Sequence, residues 1–202
     1  MDLYVVRHGE TQWNFEKRMQ GRLDSTLTKK GINDALLLSE RLKQTDFQQI
    51  ITSPSTRARK TAELLKGKRS VPLTTDERLL EIHLGLWQGK TEAEIKQQFP
   101  EQYQYYWRNP ARFENSAGEN FLNVKSRVSE FLDETERRFR SGNILVVTHG
   151  VVIKTLLLIC KNAEIEEIWN PPLIGGTSLT VIRIGTGSKI LLMEGCDKHL
   201  EY

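Results

Sequence analysis

Two stretches of this 202-residue chain share one pattern: LYVVRHGETQWN at residues 3–14 and ILVVTHGVVIK at residues 144–154. In each stretch a short run of branched apolar residues ends at His-Gly. Continuous apolar runs of this length are typical of strands that are covered on both faces. The pattern therefore predicts two buried strands that each lead into a histidine, His8 and His149.

The composition is that of an ordinary globular protein. The formal net charge is +3, from 29 basic and 26 acidic residues, which is too weak and too evenly spread to indicate a nucleic-acid partner. No apolar stretch approaches the roughly 20 residues that a membrane helix needs, and no signal peptide is visible. We therefore expect a cytoplasmic protein with no membrane partner. The two cysteines lack the spacing of a metal site.

The hydrophobic pattern alternates between strands and helices along the chain. Strands are predicted at residues 3–6, 47–52, 71–74, 143–148, 177–184 and 189–193. Helices are predicted after Thr28, from Ser53 with Pro54 at the first position, at residues 121–139 and at residues 151–160. The helix after Thr28 should bury a face that consists of Ile32, Ala35, Leu36 and Leu42. With no linker, the chain is expected to form a single α/β domain over residues 1–202 with a mainly parallel sheet.

Ligands of open α/β sheets bind outside the carboxyl ends of the strands. His8 and His149 both follow such ends, and Arg57 lies in the first turn of the helix after the second strand. Together with Arg7, these side chains would converge on one crevice if their strands are neighbours. Two histidines and two arginines near helix amino termini favour an anion, and phosphate is the obvious candidate.

These residue types suit phosphoryl transfer. A neutral imidazole can attack phosphorus when its other ring nitrogen donates to a fixed acceptor, and arginines neutralise charge in the transition state. A second histidine can donate another hydrogen bond to the transferring group. Glu81 is the candidate acid for the leaving oxygen, with Glu10 and Glu77 as competing carboxylates. His83, two residues further on, is expected to orient the Glu81 loop.

Several ordered motifs resemble the histidine phosphatase superfamily in its phosphoglycerate-mutase-like branch. They are RHGETQWN, MQGRLDSTLTKKG, TSPSTRARKTAELL, LLEIHLGLWQG, GEN and VVTHG, and they span essentially the whole chain. The resemblance implies a three-layer α/β/α sandwich on a mixed six-stranded sheet with one antiparallel strand, and no metal or cofactor. It implies that His8 is the phosphorylated nucleophile and Glu81 the proton donor. It further implies the remaining roles as follows: Arg7, Arg57 and His149 in the phosphate pocket, Gly150 beside it, and Asn14, Gln20 and Gly21 in the substrate site.

Departures from the mutases of the family favour a phosphatase. Glu92 stands where the mutases carry a lysine, and Arg108 and Arg112 are not the adjacent pair that grips a second charged group. After His149 the chain has Gly-Val-Val where the mutases tend to have Gly-Asn-Ser. An apolar lid is expected nearby, formed by Tyr103, Tyr105, Tyr106, Trp107 and Phe113. The chain is thus most similar to the broad-specificity phosphatases of this branch.

The expected activity is hydrolysis of small-molecule phosphate monoesters, with a preference for a hydrophobic body. An α-ribazole phosphatase and a cofactor-dependent phosphoglycerate mutase are the alternatives. A catalytically silent phospho-ligand-binding protein should have lost the nucleophile or the acid, and a metal site would be opposed by the arginines. The oligomeric state, monomer or homodimer, stays open. So does whether the segment at residues 103–107 is a lid, core packing or an interface.

Overall fold

The computed structural model describes residues 1–201. In this range the chain forms six β-strands and seven α-helices. The strands are β1 (Asp2–Arg7), β2 (Phe47–Thr52), β3 (Leu73–Thr75), β4 (Asn143–Thr148), β5 (Leu179–Gly185) and β6 (Ser188–Cys196). The helices are α1 (Gln12–Phe15), α2 (Lys29–Arg41), α3 (Thr56–Lys66), α4 (Glu92–Gln98), α5 (Pro100–Arg108), α6 (Phe121–Arg138) and α7 (Gly150–Lys161). No helix in residues 1–201 combines the length and the apolar character needed to cross a membrane.

The six strands form one mixed sheet in the order β3-β2-β4-β1-β5-β6. Strands β3, β2, β4 and β1 are parallel, and β5 runs antiparallel to both of its neighbours. This confirms the expected fold class. The two apolar runs are adjacent strands in matching register, with Arg7 beside Thr148. His8 and His149 consequently leave the same edge of the sheet side by side.

Helices cover the sheet on both faces because the strand side chains alternate. Leu3 and Val5 of β1 belong to a core shared with α6 and α7, whereas Val6 belongs to a core shared with α2 and α3. The apolar stripe of α6 is buried as its spacing predicts, at Phe121, Val124, Val128, Phe131, Leu132 and Thr135. The three layers follow from this double burial.

Two glycines let α2 approach the loop after β1. A Cβ atom on Gly9 would lie 2.5 Å from the carbonyl oxygen of Gly31, and a Cβ atom on Gly31 would lie 2.2 Å from that of Glu10. Both distances are far below van der Waals contact, so side chains at these positions would push α2 away. The two glycines therefore set how closely α2 packs beside the nucleophile loop.

Three local predictions were wrong in detail. On α2, Ile32 and Leu36 are 36% and 50% exposed, and the buried face is instead centred on Ala35 and Leu38. Helix α3 begins at Thr56, two residues beyond Pro54. Strand β5 begins at Leu179, because the preceding Thr177 has a positive φ of 57° that does not fit a strand.

Candidate active site

A cavity of about 570 Å³ opens at the carboxyl edge of the sheet. Its inner end contains four of the predicted catalytic residues and its outer end is largely apolar. The wall is lined by Arg7, His8, Asn14, Arg18, Met19, Gln20, Gly21, Arg57, Glu81, Ile82, Leu84, Tyr106, Trp107, Gly150, Val151, Lys154, Trp169, Pro171, Pro172, Leu173 and Ile174.

His8 is held in one tautomer by its own neighbour. Its Nδ1 lies 2.8 Å from the carbonyl oxygen of Gly9, which can only accept, so Nδ1 carries the proton. Burial, together with the charges of Arg57 and Arg7, holds the pKa of His8 well below its usual range. The ring is therefore neutral near pH 7, and Nε2 carries the lone pair that a nucleophile needs.

Arg57 is 1% exposed and lies at the centre of the inner end. Its Nε donates to His8 Nε2 at 3.2 Å, and Nη2 donates to His149 Nδ1 at 3.1 Å. Asp24 forms an ion pair with Nη1 at 2.7 Å. The guanidinium thus connects both histidines to a carboxylate from the loop before α2.

His149 is fully buried and lies behind Arg57. Arginine can only donate, so Nδ1 of His149 accepts from Arg57, and the proton on Nε2 points to Ser53 Oγ at 2.8 Å. Burial and the charge of Arg57 hold the pKa of His149 well below its usual range. Both ring nitrogens of His149 have protein partners, so the expected direct hydrogen bond to the transferring group requires one of these contacts to open.

The Arg7 guanidinium has one nitrogen held by a hydrogen bond and another without an acceptor. Nη1 donates to the carbonyl oxygen of Ile174 at 2.7 Å. Its buried Nε has no hydrogen-bond acceptor within residues 1–201. A Cβ atom on Gly150 would lie 3.8 Å from this Nε, so the unpaired donor lies near the start of α7. A buried donor without a partner is costly, and an anion bound here would satisfy it.

Glu81 lies at the amino terminus of α7. Its Oε2 accepts from the backbone N–H of Val151 at 3.3 Å and its Oε1 from that of Ile82 at 3.0 Å. Burial raises the pKa of Glu81, although these two N–H groups and the charges of Arg57 and Arg7 oppose the rise. A carboxyl group with a raised pKa can carry a proton near neutral pH, as a general acid must.

The predicted substrate-binding positions Asn14, Gln20, Gly21 and Gly150 all lie in the cavity wall. Oδ1 of Asn14 accepts from Thr11, and Oε1 of Gln20 accepts from Ser25 Oγ at 3.1 Å. Gly21 has a φ of 55°, and a Cβ atom there would lie 2.5 Å from Gln88 Oε1. Gly150 lies beside Arg7 and Glu81, and a Cβ atom there would make ordinary contact with both at 3.8 Å.

The five aromatic residues that were expected to form a lid lie in different surroundings. Tyr106 and Trp107 line the cavity, together with Trp169 from the loop after α7. Phe113 is buried against Trp87, Tyr106 and Phe121, so it belongs to the core and not to a lid. Tyr103 and Tyr105 pack on the edge of the same core, and their hydroxyls donate to Glu92 and Glu101. Only two of the five expected lid residues therefore face the cavity.

Three functional candidates were missed by sequence reasoning. Ser53 holds His149, and Asp24 holds Arg57. Lys154, in the cavity wall, donates to the carbonyl oxygens of Asn170 and Pro172. The signal for Lys154 was a single charge inside an apolar helix. The other two are short polar residues in loops, where such residues are common. His83 accepts from the backbone N–H of Gly85 at 3.2 Å and so holds its own loop, as expected. Within residues 1–201 no three His, Cys, Asp or Glu side chains are grouped to hold a metal ion.

Comparisons with known proteins agree on one family. The family model described as histidine phosphatase superfamily (branch 1) matches residues 3–196. The solved structure of Bacillus stearothermophilus YhfR is 44% identical and superposes with a TM-score of 0.97 over 99% of both chains. The α-ribazole phosphatase of Shigella flexneri is 26% identical, with a TM-score of 0.89 over 98% of this chain and 97% of its own.

Another relative is named for a different substrate. Phosphoserine phosphatase 1 of Hydrogenobacter thermophilus is 29% identical over 198 residues, which are 98% of this chain and 93% of that relative. The resemblance seen in the motifs is thereby confirmed over the length of the chain. The protein belongs to branch 1 of the histidine phosphatase superfamily and is a phosphatase of that superfamily.

Proposed function

We propose that this protein hydrolyses small phosphate monoesters through a phosphohistidine at His8, in one domain that spans residues 1–202. It has broad specificity and prefers substrates with a hydrophobic body. The observation that carries the proposal is the two-part cavity, in which His8, Arg7, Arg57 and Glu81 form one end and aromatic and aliphatic side chains form the other.

In the first step the lone pair of His8 Nε2 forms a bond to phosphorus and the ester P–O bond breaks. The hydrogen bond from His8 Nδ1 to the carbonyl oxygen of Gly9 keeps the ring in the tautomer that has its lone pair on Nε2. Arg7 and Arg57 neutralise the charge on the phosphoryl oxygens, and His149 orients Arg57. Glu81 gives its proton to the departing oxygen, so an alcohol leaves rather than an alkoxide.

The second step returns the protein to its starting state. Water attacks the phosphorus, the P–N bond breaks, and the bonding electrons return to His8 Nε2. Glu81, now a carboxylate, accepts a proton from the attacking water. Inorganic phosphate leaves, and the two steps together consume one water for each ester.

The walls beyond the phosphoryl end favour a hydrophobic body. Trp107 and Trp169 pack against each other with tilted rings whose centres are 4.8 Å apart, and Leu173 and Pro172 line the same end. Apolar surface of this kind gains free energy when a ligand displaces water from it. The two cations in the outer half are already engaged, Lys154 by two carbonyl oxygens and Arg18 by Glu16 and the carbonyl oxygen of Gly89.

A second candidate substrate is α-ribazole phosphate. The related Shigella flexneri structure carries that activity in its name, and an aromatic base could pack against the tryptophan side chains of the outer wall. Phosphoserine, named for the Hydrogenobacter relative, has a small and strongly polar body. The apolar outer wall therefore ranks it below aryl esters here.

A panel of phosphate monoesters compared by kcat/KM tests the proposal. It should contain aryl phosphates, α-ribazole phosphate, phosphoserine, 3-phosphoglycerate and glycerol phosphate. We expect aryl esters to lead, several substrates to be accepted, and mutase activity on phosphoglycerate to be a trace. A mutase rate that matches the best hydrolysis rate, primed by a bisphosphate, would contradict the proposal. A phosphoserine rate far above all others would contradict the hydrophobic preference.

A further inference from the structure

Arg57 has no spare hydrogen-bond donor. A guanidinium has five N–H groups, and all five reach acceptors of the protein. The acceptors are His8 Nε2 at 3.2 Å, Leu23 O and Asp24 Oδ1 at 2.7 Å, Gly21 O at 2.7 Å and His149 Nδ1 at 3.1 Å. Arg57 can therefore contact a phosphoryl oxygen only if one of these acceptors releases its N–H group.

The five contacts fall on two sides of the guanidinium. The described cavity wall includes His8 and Gly21 but neither Leu23 nor Asp24. The N–H groups of Nε and Nη2 that reach His8 and Gly21 are thus beside the place where phosphorus reacts. The Nε contact must also open before His8 can attack, because it occupies the lone pair of Nε2. Both N–H groups of Nη1 reach Leu23 O and Asp24 Oδ1, on the side of the guanidinium away from the cavity wall.

Asp24 holds that other side firmly. Its Oδ1 pairs with Nη1, and its Oδ2 accepts from the backbone N–H of Thr56 at 2.6 Å. Ser55, the residue that precedes α3, makes no capping hydrogen bond with its own side chain. Asp24 therefore caps α3 from a loop 32 residues before its first residue and binds the side chain of the second residue of the same helix. The positive end of the helix dipole also offsets the carboxylate's repulsion of a nearby phosphate.

We propose that Asp24 is a positioning residue for phosphoryl transfer. Its carboxylate anchors Nη1 of Arg57 on the amino terminus of α3, while the N–H groups of Nε and Nη2 pass from His8 and Gly21 to the phosphoryl oxygens. Arg57 then exchanges acceptors on one side without leaving the site. This inference rests on the proposed hydrolysis through His8.

Two variants separate the charge of Asp24 from its size. Asp24→Ala removes the anchor. Asp24→Asn keeps one oxygen for Arg57 but turns an amide NH₂ toward the N–H of Thr56. With p-nitrophenyl phosphate, kcat should fall by about 10- to 100-fold in Asp24→Ala, the range found when the outer partner of a metal-binding histidine is removed. The loss in Asp24→Asn should be smaller, and this milder variant serves if Asp24→Ala folds poorly.

Asp76 provides a matched control. Its Oδ1 accepts from the backbone N–H of Arg78 at 2.9 Å, and its Oδ2 pairs with Nη2 of the same arginine at 2.6 Å. Arg78 does not line the cavity. Asp76→Ala should lower the midpoint of thermal unfolding and leave kcat within about twofold. This comparison shows what the loss of an Asp–Arg pair and a helix cap does when Arg57 is untouched.

A double-mutant cycle gives the decisive readout. If Asp24 acts through Arg57, then Asp24→Ala should cost nothing further in kcat once Arg57 is alanine. The inference would be overturned if the losses from Asp24→Ala and Arg57→Ala added in the double variant. It would also be overturned if Asp24→Ala and Asp24→Asn both kept the wild-type rate. Either outcome would leave the proposed function intact. A wild-type protein that hydrolyses no ester would contradict the proposed function and, with it, this inference.

Discussion

The two ends of the cavity are built in opposite ways. At the inner end His8 and Arg57 are 3% and 1% exposed, and every polar atom of these two side chains has a protein partner. At the outer end Trp107 is 38% exposed and Leu173 is 87% exposed. Groups at the inner end are held by the sheet and by helix termini, which suits one fixed reaction. Groups at the outer end are more exposed and largely apolar, which suits varied substrate bodies.

Removal of the nucleophile should have the largest effect. His8→Ala is expected to reduce turnover by about 10⁴-fold or more, because no neighbouring group can supply the attacking nitrogen. Quenched wild-type protein should carry an acid-labile, base-stable phosphoryl group that the variant lacks. Circular dichroism should show that the variant remains folded. A phosphoryl group found on serine, or no covalent species with a fast leaving group, would contradict the mechanism.

Glu81 should show an intermediate effect that depends on the leaving group. Glu81→Gln is expected to slow alkyl phosphates by about 10²–10³-fold, because an alkoxide needs a proton to leave. p-Nitrophenyl phosphate should be slowed far less, since nitrophenolate leaves as an anion. The comparison must be made while phosphorylation of His8 limits the rate. Equal losses for both esters would remove Glu81 as the acid.

The same residue predicts the sign of a pH effect. Burial raises the pKa of Glu81, so its protonated, active form persists to higher pH than that of an ordinary glutamate. In the wild type, kcat/KM for alkyl phosphates should fall as pH rises through that raised pKa. In Glu81→Gln this limb should be flat, because the amide has no proton to lose. A limb that is unchanged in the variant would assign the titration to another group.

Changes at the outer end should be small and should depend on the substrate. Leu173→Ala is expected to lower kcat/KM for aryl phosphates about fivefold, which corresponds to roughly 1 kcal/mol of lost apolar contact. Glycerol phosphate should be unaffected, because its body is too short to reach that wall. Leu122→Ala, at a 58% exposed leucine on α6, is the matched control. Equal losses for both esters would mean that Leu173 shapes the site rather than binding the substrate body.

A metal chelator should have no effect. Phosphoryl transfer at His8 relies on Arg7 and Arg57 for charge neutralisation, so kcat should be unchanged after treatment with EDTA and gel filtration. Inactivation that is reversed by a divalent cation would contradict the expectation that no metal is used.

Much of the fold could be read from local patterns. Strands β1, β2 and β4 and helix α6 were predicted to within a residue or two, because each has a long apolar run or a clear stripe at helical spacing. The short strand β3 and the start of α3 were displaced by about two residues. At such ends the local preferences are weak, and contacts from elsewhere decide. For α3 that contact is Asp24, which caps the helix from another loop.

The site was predicted as a set of residues but not as a network. The hydrophobic pattern treats His8 and His149 alike, since both end a buried strand at His-Gly, and only the family resemblance gave them different roles. In the structure one lines the cavity, and the other lies behind Arg57 with Ser53 as its partner. Arg57 reaches across from α3 and donates to both rings, whose centres are 5.2 Å apart.

The sequence by itself determined the α/β class, the edge at which the chemistry-bearing residues gather and the family of the chain. These depend on periodicity and on short motifs, which act over a few neighbouring residues. Only the tertiary structure decided that His149 contacts Arg57 and Ser53, that Asp24 and Lys154 support the site, and which aromatic side chains reach the cavity. Each of these depends on contacts between segments far apart in the chain, and the free energy of such contacts has no local signal in the sequence.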